Sequence, residues 1–154
     1  MLDPAGVLYW PATSLLVVSD LHLEKGSSYA RRGQLLPPWD THATLDRLTL
    51  LLRRYRPRIV VALGDSFHDS DGALRLPAGE LARLRAMTEA HRFIWVKGNH
   101  DPTPPNGIGG EWVEAFSTAT LVLRHQALAG AEGEVSGHHH PKATVPARGT
   151  TVSR

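Results

Sequence analysis

Residues Leu15–His22 read LLVVSDLH, Arg58–Asp65 read RIVVALGD, and Phe93–Asp101 read FIWVKGNHD. Each is a short apolar run, rich in Val or Ile, that ends abruptly in polar residues. Runs of this length without polar alternation fit strands buried on both faces. Working outward from them, Val7–Trp10 supplies a candidate antiparallel neighbour for the first run. Asp40 stands as the N-cap of a helix in which Leu45, Leu48, Leu52 and Tyr55 recur at helical spacing. Arg53, Arg54 and Arg56 suit the negative end of that helix, and Pro57 stops it. Pro77–Ala90 reads as a second helix with Pro in its first turn and Leu81, Leu84 and Met87 or Thr88 turned inward. Leu21–Trp39 reads as a polar, glycine-containing loop. Strand, helix, strand, helix, strand at this spacing predicts an α/β fold with a parallel sheet and crossover helices. Beyond Asp101, residues 102–110 form a Pro/Gly loop, and Thr120–Arg124 and Glu134–Ser136 read as strands with no helix between them.

Composition sets the boundaries. With 154 residues, 42% hydrophobic and 21% charged, the chain has enough apolar material for one core and too little charge for a disordered tail. No apolar run approaches the roughly 20 residues of a membrane span, and the N-terminus lacks the basic start and small-residue cleavage site of a signal peptide. The expectation is a soluble, cytoplasmic protein without membrane partners. There is no Cys, which excludes disulfides, thiolate metal sites and cysteine nucleophiles. Any metal must be held by His, Asp, Glu or Asn, and nine His are present.

The positions of those residues carry the functional reading. Asp20 and His22 follow the first strand, Asp65, His68 and Asp69 the second, and Asn99, His100 and Asp101 the third. His125 follows the strand ending at Arg124, and His138 and His140 lie in the run GHHHP. Each piece alone has an ordinary explanation: an Asp in a turn, a Gly-Asp strand end, a histidine in a polar loop. Together they deliver nitrogen and oxygen ligands from several loops to one edge of one sheet, the carboxyl edge where open α/β sheets bind ligands.

In this order the residues resemble the calcineurin-like metallophosphoesterases, whose pattern is D-x-H, GD, GNH[DE], a lone His and GHxH. Here the pattern is filled by Asp20 and His22, Gly64 and Asp65, Asn99, His100 and Asp101, His125, and Gly137, His138 and His140. The resemblance implies an α/β/β/α sandwich and two divalent cations. One is held by Asp20, His22, Asp65 and His140, the second by Asp65, Asn99, His125 and His138, with Asp65 bridging and His139 a spacer. Oxygen and imidazole ligands without thiolate suit Mn, with Fe or Zn as alternatives. Many members carry Asp or Asn three residues after the GD aspartate, where this chain has His68, so His68 and Asp69 are assigned to the surroundings of the site or to the substrate pocket. The stretch DLHLEKGSSYARRGQLLPPWDT, with GDSFHD and GHHHPKA, is similar to the bacterial ligase-associated DNA damage response endonuclease group (PdeM). This implies a DNA or RNA substrate and DNA-repair partners, a ligase among them. Members of that group continue past GHxH into further strands, whereas this chain ends TTVSR. The expectation is a single domain, 1–154, either incomplete in its C-terminal β part or closing that part early.

Two cations bridged by Asp65 would acidify a bridging water to hydroxide for in-line attack at phosphorus. His100, not assigned to a metal, is then the candidate to protonate the leaving oxygen, and Asp101 is read as orienting a neighbouring His, or alternatively as capping its loop. From Lys25 to Arg58 there are eight basic residues against two acidic ones. They read either as a nucleic-acid footprint or, for Arg53, Arg54 and Arg56, as the usual end of a solvated helix. Lys25, Arg31 and Arg32 lie in the loop leaving the metal edge and are the candidate substrate contacts, with Tyr29 and Trp39 available for base stacking. Three functions are compatible with these residues: a metal-dependent phosphodiesterase acting on DNA or RNA, a phosphohydrolase of nucleotides or nucleotide sugars, and an interaction scaffold with this fold.

Overall fold

A computed structural model describes residues 1–140 and, beyond them, the backbone of the strands Thr144–Ala147 and Thr150–Ser153. Pro141, Lys142 and Ala143 of the GHHHPKA signature lie outside the described residues. The principal sheet has six strands in sequential order: β1 (Leu2–Asp3), β2 (Val7–Trp10), β3 (Leu15–Val18), β4 (Ile59–Leu63), β5 (Arg92–Val96) and β6 (Glu111–Val113). β3 to β6 run parallel, and β1 and β2 pair antiparallel at the β3 side. The β3 to β4 and β4 to β5 crossovers are helical, as the spacing predicts, whereas β5 reaches β6 through a loop. Helix α1 (Lys25–Ala30) and α2 (Asp40–Tyr55) connect β3 to β4, and α3 (Gly72–Arg75) and α4 (Ala78–Ala90) connect β4 to β5.

The three apolar runs are buried on both faces because each face has its own cover. Leu16, Val18, Val60, Ala62, Phe93 and Trp95 pack against Leu45, Leu48, Leu52, Leu84 and Met87 of the helices. Their strand neighbours Leu15, Val17, Val61, Leu63, Ile94 and Val96 point the other way, onto Phe116, Leu123 and Val135. Those three come from a second sheet of β7 (Ala115–Ser117), β8 (Val122–Arg124) and β9 (Glu134–Ser136). The described residues therefore form helix, sheet and sheet layers, and among them no helix covers the outer face of the second sheet. The strands β10 (Thr144–Ala147) and β11 (Thr150–Ser153) form an antiparallel hairpin. No described helix is long and apolar enough to cross a membrane.

Two expectations are corrected. Leu21–Trp39 is not all loop: α1 lies within it. Its sequence, KGSSYA, is too short and too rich in Gly and Ser to show a helical signature, and it is held by its neighbours. The Gly26 N–H donates to Asp40 Oδ2 at 3.0 Å, and the Glu24 N–H to Thr41 Oγ1 at 2.8 Å. Asp40 accordingly is not the N-cap of α2 but its first residue. Its carboxylate is engaged across the interhelical contact, and Trp39 occupies the cap position without a side-chain bond.

Candidate metal centre

The chain leaves β3, β4 and β5 at the same edge, and the first two exit loops stay paired beyond their strands. The His22 N–H donates to Asp65 O at 2.9 Å, Leu23 N–H to Ser66 O at 2.9 Å, and His68 N–H to Leu23 O at 2.9 Å. The third loop is tied to the second by Asp101, which is 2% exposed. Its Oδ1 accepts from Gly98 N–H (3.0 Å) and Asp65 N–H (3.1 Å), and its Oδ2 from Ser66 N–H (2.7 Å) and Phe67 N–H (3.1 Å). Burial pushes the Asp101 carboxyl pKa up, and the backbone N–H groups work against that shift. The expected role in orienting a histidine is therefore replaced by the loop-capping one: its hydrogen bonds go to backbone N–H groups.

Two glycines of the motifs are required by close approach. A Cβ on Gly98 would lie 2.2 Å from both the N and Oδ1 of Asp65. Gly64 has φ +79°, and a Cβ there would lie 2.5 Å from His125 Nδ1. Non-glycine residues with positive φ concentrate on the ligand candidates: Asp20 (51°), His22 (43°), Asp65 (48°), His138 (69°) and His140 (41°). Such conformations cost energy and cluster at functional sites.

The side chains converge in two groups, Asp20 with His22 and His140, and Asp65 with His125 and His138; Asp65, expected in both, is a member of the second. In the first, His22 Nε2 lies 3.5 Å from His140 Nε2, and His140 Nε2 lies 3.6 Å from Asp20 Oδ1. In the second, His125 Nε2 lies 3.5 Å from Asp65 Oδ2, 3.1 Å from His138 Nδ1 and 2.9 Å from Asn99 Oδ1. The His125 Nδ1–H donates to Leu63 O at 2.8 Å, which leaves Nε2 as a lone pair. That lone pair faces the amide oxygen of Asn99 and the carboxylate of Asp65 with no proton to share in the neutral ring. Acceptors crowded in this way are the donor set of a cation, so the residues fit a divalent metal. Asp65 also reaches toward His100, whose Nε2 is 3.9 Å from Asp65 Oδ2. His139 is exposed.

His100 is oriented from both ends. Its backbone N–H donates to Asp65 Oδ1 at 2.9 Å, and its Nδ1–H donates to His68 O at 2.7 Å, which leaves Nε2 toward the centre. Burial lowers the His22 pKa to about 4, with Asp65 opposing and His100 and His68 reinforcing the shift. His22 is thus a neutral ring near pH 7, the form that binds metals.

The substrate candidates separate. Burial, His100 and Lys25 all lower the His68 pKa, Asp69 opposes, and Arg32 adds to the lowering, so Lys25 and Arg32 both act on the site. Arg31 is already paired with Asp71 at 3.1 Å. Asp69 points away to Arg75, whose Nη2 donates to it at 2.7 Å. Burial opposes the charge on Asp69, but hydrogen bonds from Arg75 and Ser28 outweigh it and hold the carboxyl at about 2. Arg75 and Ser28 carry no sequence signal, because they act only through this tertiary contact. Ser28, Arg31, Arg32, Asp69, Ser70 and Asp71 line a cleft of about 400 Å³. Tyr29 packs against His68 with ring centroids 5.5 Å apart, whereas Trp39 is 68% exposed.

The model of the calcineurin-like phosphoesterases matches residues 13–146. The chain belongs to this family. Calcineurin-like phosphoesterases hydrolyse phosphate esters and are metal enzymes, in keeping with the donor set above. Among solved structures, the crystal structure of Pseudomonas putida nuclease MPE is similar over 90% of this chain and 67% of that one, with 29% sequence identity and a TM-score of 0.70. A search of curated proteins finds none that matches.

The Asp101 clamp predicts an unusual mutational pattern. Asp101→Ala should lose roughly 3 kcal/mol or more in urea unfolding, because several buried N–H groups lose their acceptor. Asp101→Asn should fare nearly as badly, since its NH2 would face N–H donors. An Asn variant of wild-type stability would contradict the clamp.

Proposed function

We propose that this phosphoesterase is a binuclear, manganese-dependent phosphodiesterase that cleaves DNA or RNA internally. The observation that carries the proposal is the pair of residue groups, Asp20, His22 and His140 beside Asp65, His125 and His138, of which Asp20, His22 and Asp65 stand on loops held by paired backbone and by Asp101. Asp65 serves both groups, and Asn99 completes the second. When bound, two divalent cations supply charge stabilisation to the phosphate oxygens and activate the attacking water. The protein's own part follows from its hydrogen bonds. His100, with Nδ1–H fixed on the His68 carbonyl, presents Nε2 toward the centre and in its protonated form donates to the leaving oxygen. His68, whose ring stands beside those of His22 and His100, is assigned to the substrate pocket.

A nucleic-acid substrate is supported by the nuclease among its structural neighbours and by charge. Lys25 and Arg32 are exposed, their charges both disfavour a charged His68, and Trp39 offers an open aromatic face. Arg53, Arg54 and Arg56 are set aside, because α2 ends where β4 begins, at the sheet edge opposite the ligands. Arg31 and Asp69 are engaged with Asp71 and Arg75 and contribute by shaping the cleft. A DNA-repair setting with a ligase as partner follows from the PdeM resemblance.

The substrate is tested by incubating the protein with Mn2+ and single-stranded DNA, single-stranded RNA, mononucleotides or nucleotide sugars. Internal cleavage of a polynucleotide is expected, and Lys25→Ala with Arg32→Ala should weaken it and reduce its salt slope by about 0.7 for each phosphate the protein no longer neutralises. Turnover confined to nucleotides would replace this reading with that of a small-molecule phosphohydrolase. The acid is tested separately: His100→Asn should lose roughly 10² to 10⁴ in rate while retaining both metals. Loss of metal with the rate would make His100 a ligand.

A further inference from the structure

A third set of nitrogens converges beside the two groups assigned to the cations. The rings of His22, His68 and His100 stand around a common point, with centroids 5.4 Å (His22 to His68), 5.1 Å (His22 to His100) and 5.3 Å (His68 to His100) apart. One nitrogen from each lies within 4.8 Å of the other two. The Nδ1 atoms of His22 and His68 are shut off from solvent and have no hydrogen-bond partner, so two of the three rings enter the set with polar atoms that no protein group satisfies. His100 spends Nδ1–H on His68 O and keeps Nε2 free. The set is also preorganised, because His68 N–H is held by Leu23 O and His100 N–H by Asp65 Oδ1.

This set differs chemically from its neighbours. Each of the other two contains a carboxylate, whereas this one is all imidazole. Oxygen-containing sets suit Mn2+, and three imidazoles with an open fourth position suit Zn2+. His22 belongs both to this set and to the one with Asp20 and His140, so its occupancy in one competes with its use in the other.

We propose that His22, His68 and His100 form a zinc-capture site that is an alternative to the productive cation placement. Zinc held there covers Nε2 of His100 and draws His22 from Asp20 and His140, so zinc inhibits the manganese-loaded enzyme. The inhibition rests on the two-cation reading through His22; the binding does not. His68 gives the selectivity, since it alone belongs to neither assigned group and is not the candidate acid.

The test measures Zn2+ affinity of the metal-free protein by calorimetry, with Co2+ absorption as a spectroscopic reporter of the nitrogen-rich site. His68→Asn, and His68→Gln should the first variant misfold, are expected to weaken Zn2+ binding at least tenfold and to abolish the tetrahedral Co2+ band. Each should still take up two Mn2+. Inhibition of the Mn2+ enzyme by Zn2+ should shift by the same factor, while the exposed His139→Asn control retains wild-type zinc behaviour. Equal zinc affinity and equal cobalt spectra in wild type and both His68 variants would overturn the proposal, as would a loss in His139→Asn equal to theirs. Failure of the wild type to bind two Mn2+ would instead overturn the two-cation reading and leave the zinc comparison to decide this one.

Discussion

The buried carboxylate of Asp101 is the constraint on which the rest of the site depends. It collects N–H groups from Gly98 on the loop after β5 and from Asp65, Ser66 and Phe67 on the loop after β4. One side chain thereby fixes two loops, and with them the positions of Asn99, His100 and Asp65. The Asp65 carboxylate accepts the His100 N–H at Oδ1 and turns Oδ2 toward His125 and His100. The approach is so close that no Cβ fits at Gly98. A motif that reads as a string of ligand candidates is, physically, a clamp with those candidates on either side of it.

Several of the ligand candidates are also held against local conformational preference. Asp20, His22, Asp65, His138 and His140 all adopt positive φ without being glycine. For Asp20, His22 and Asp65 the sheet makes this possible: β3 and β4 are packed on both faces, so the points where the chain leaves them are rigid. The same crowding sets lone pairs of His125, Asn99 and Asp65 against one another. In a protein interior such an arrangement is costly unless a positive charge sits among them, which links the fold's rigidity to the metal chemistry of the family.

Much of this is legible in the sequence, because long-range information is concentrated in short signals. The three apolar runs read as strands buried on both faces, and their residues do alternate between the two cores. The long helices α2 and α4 are visible from their apolar spacing and flanking Pro. What stays hidden are elements too short for a period, such as α1, α3, β6 and β7, each held by partners far away in the chain. The site follows the same division. Ligand candidates are readable from residue type at strand ends, but which hydrogen bonds Asp101 makes, and that Arg31 pairs with Asp71, depend on three-dimensional neighbours. The third nitrogen set is equally invisible, since the sequence pattern gives His22, His68 and His100 three different tasks.

The central claim is that one carboxylate, Asp65, serves two cations at the edge of the sheet. Anomalous diffraction at the manganese edge from crystals grown in Mn2+ tests it most directly. The account predicts two peaks about 3.5–4 Å apart, one flanked by Asp20, His22 and His140, the other by Asn99, His125 and His138, with Asp65 between them. A single peak, or two peaks of which only one contacts Asp65, would contradict it.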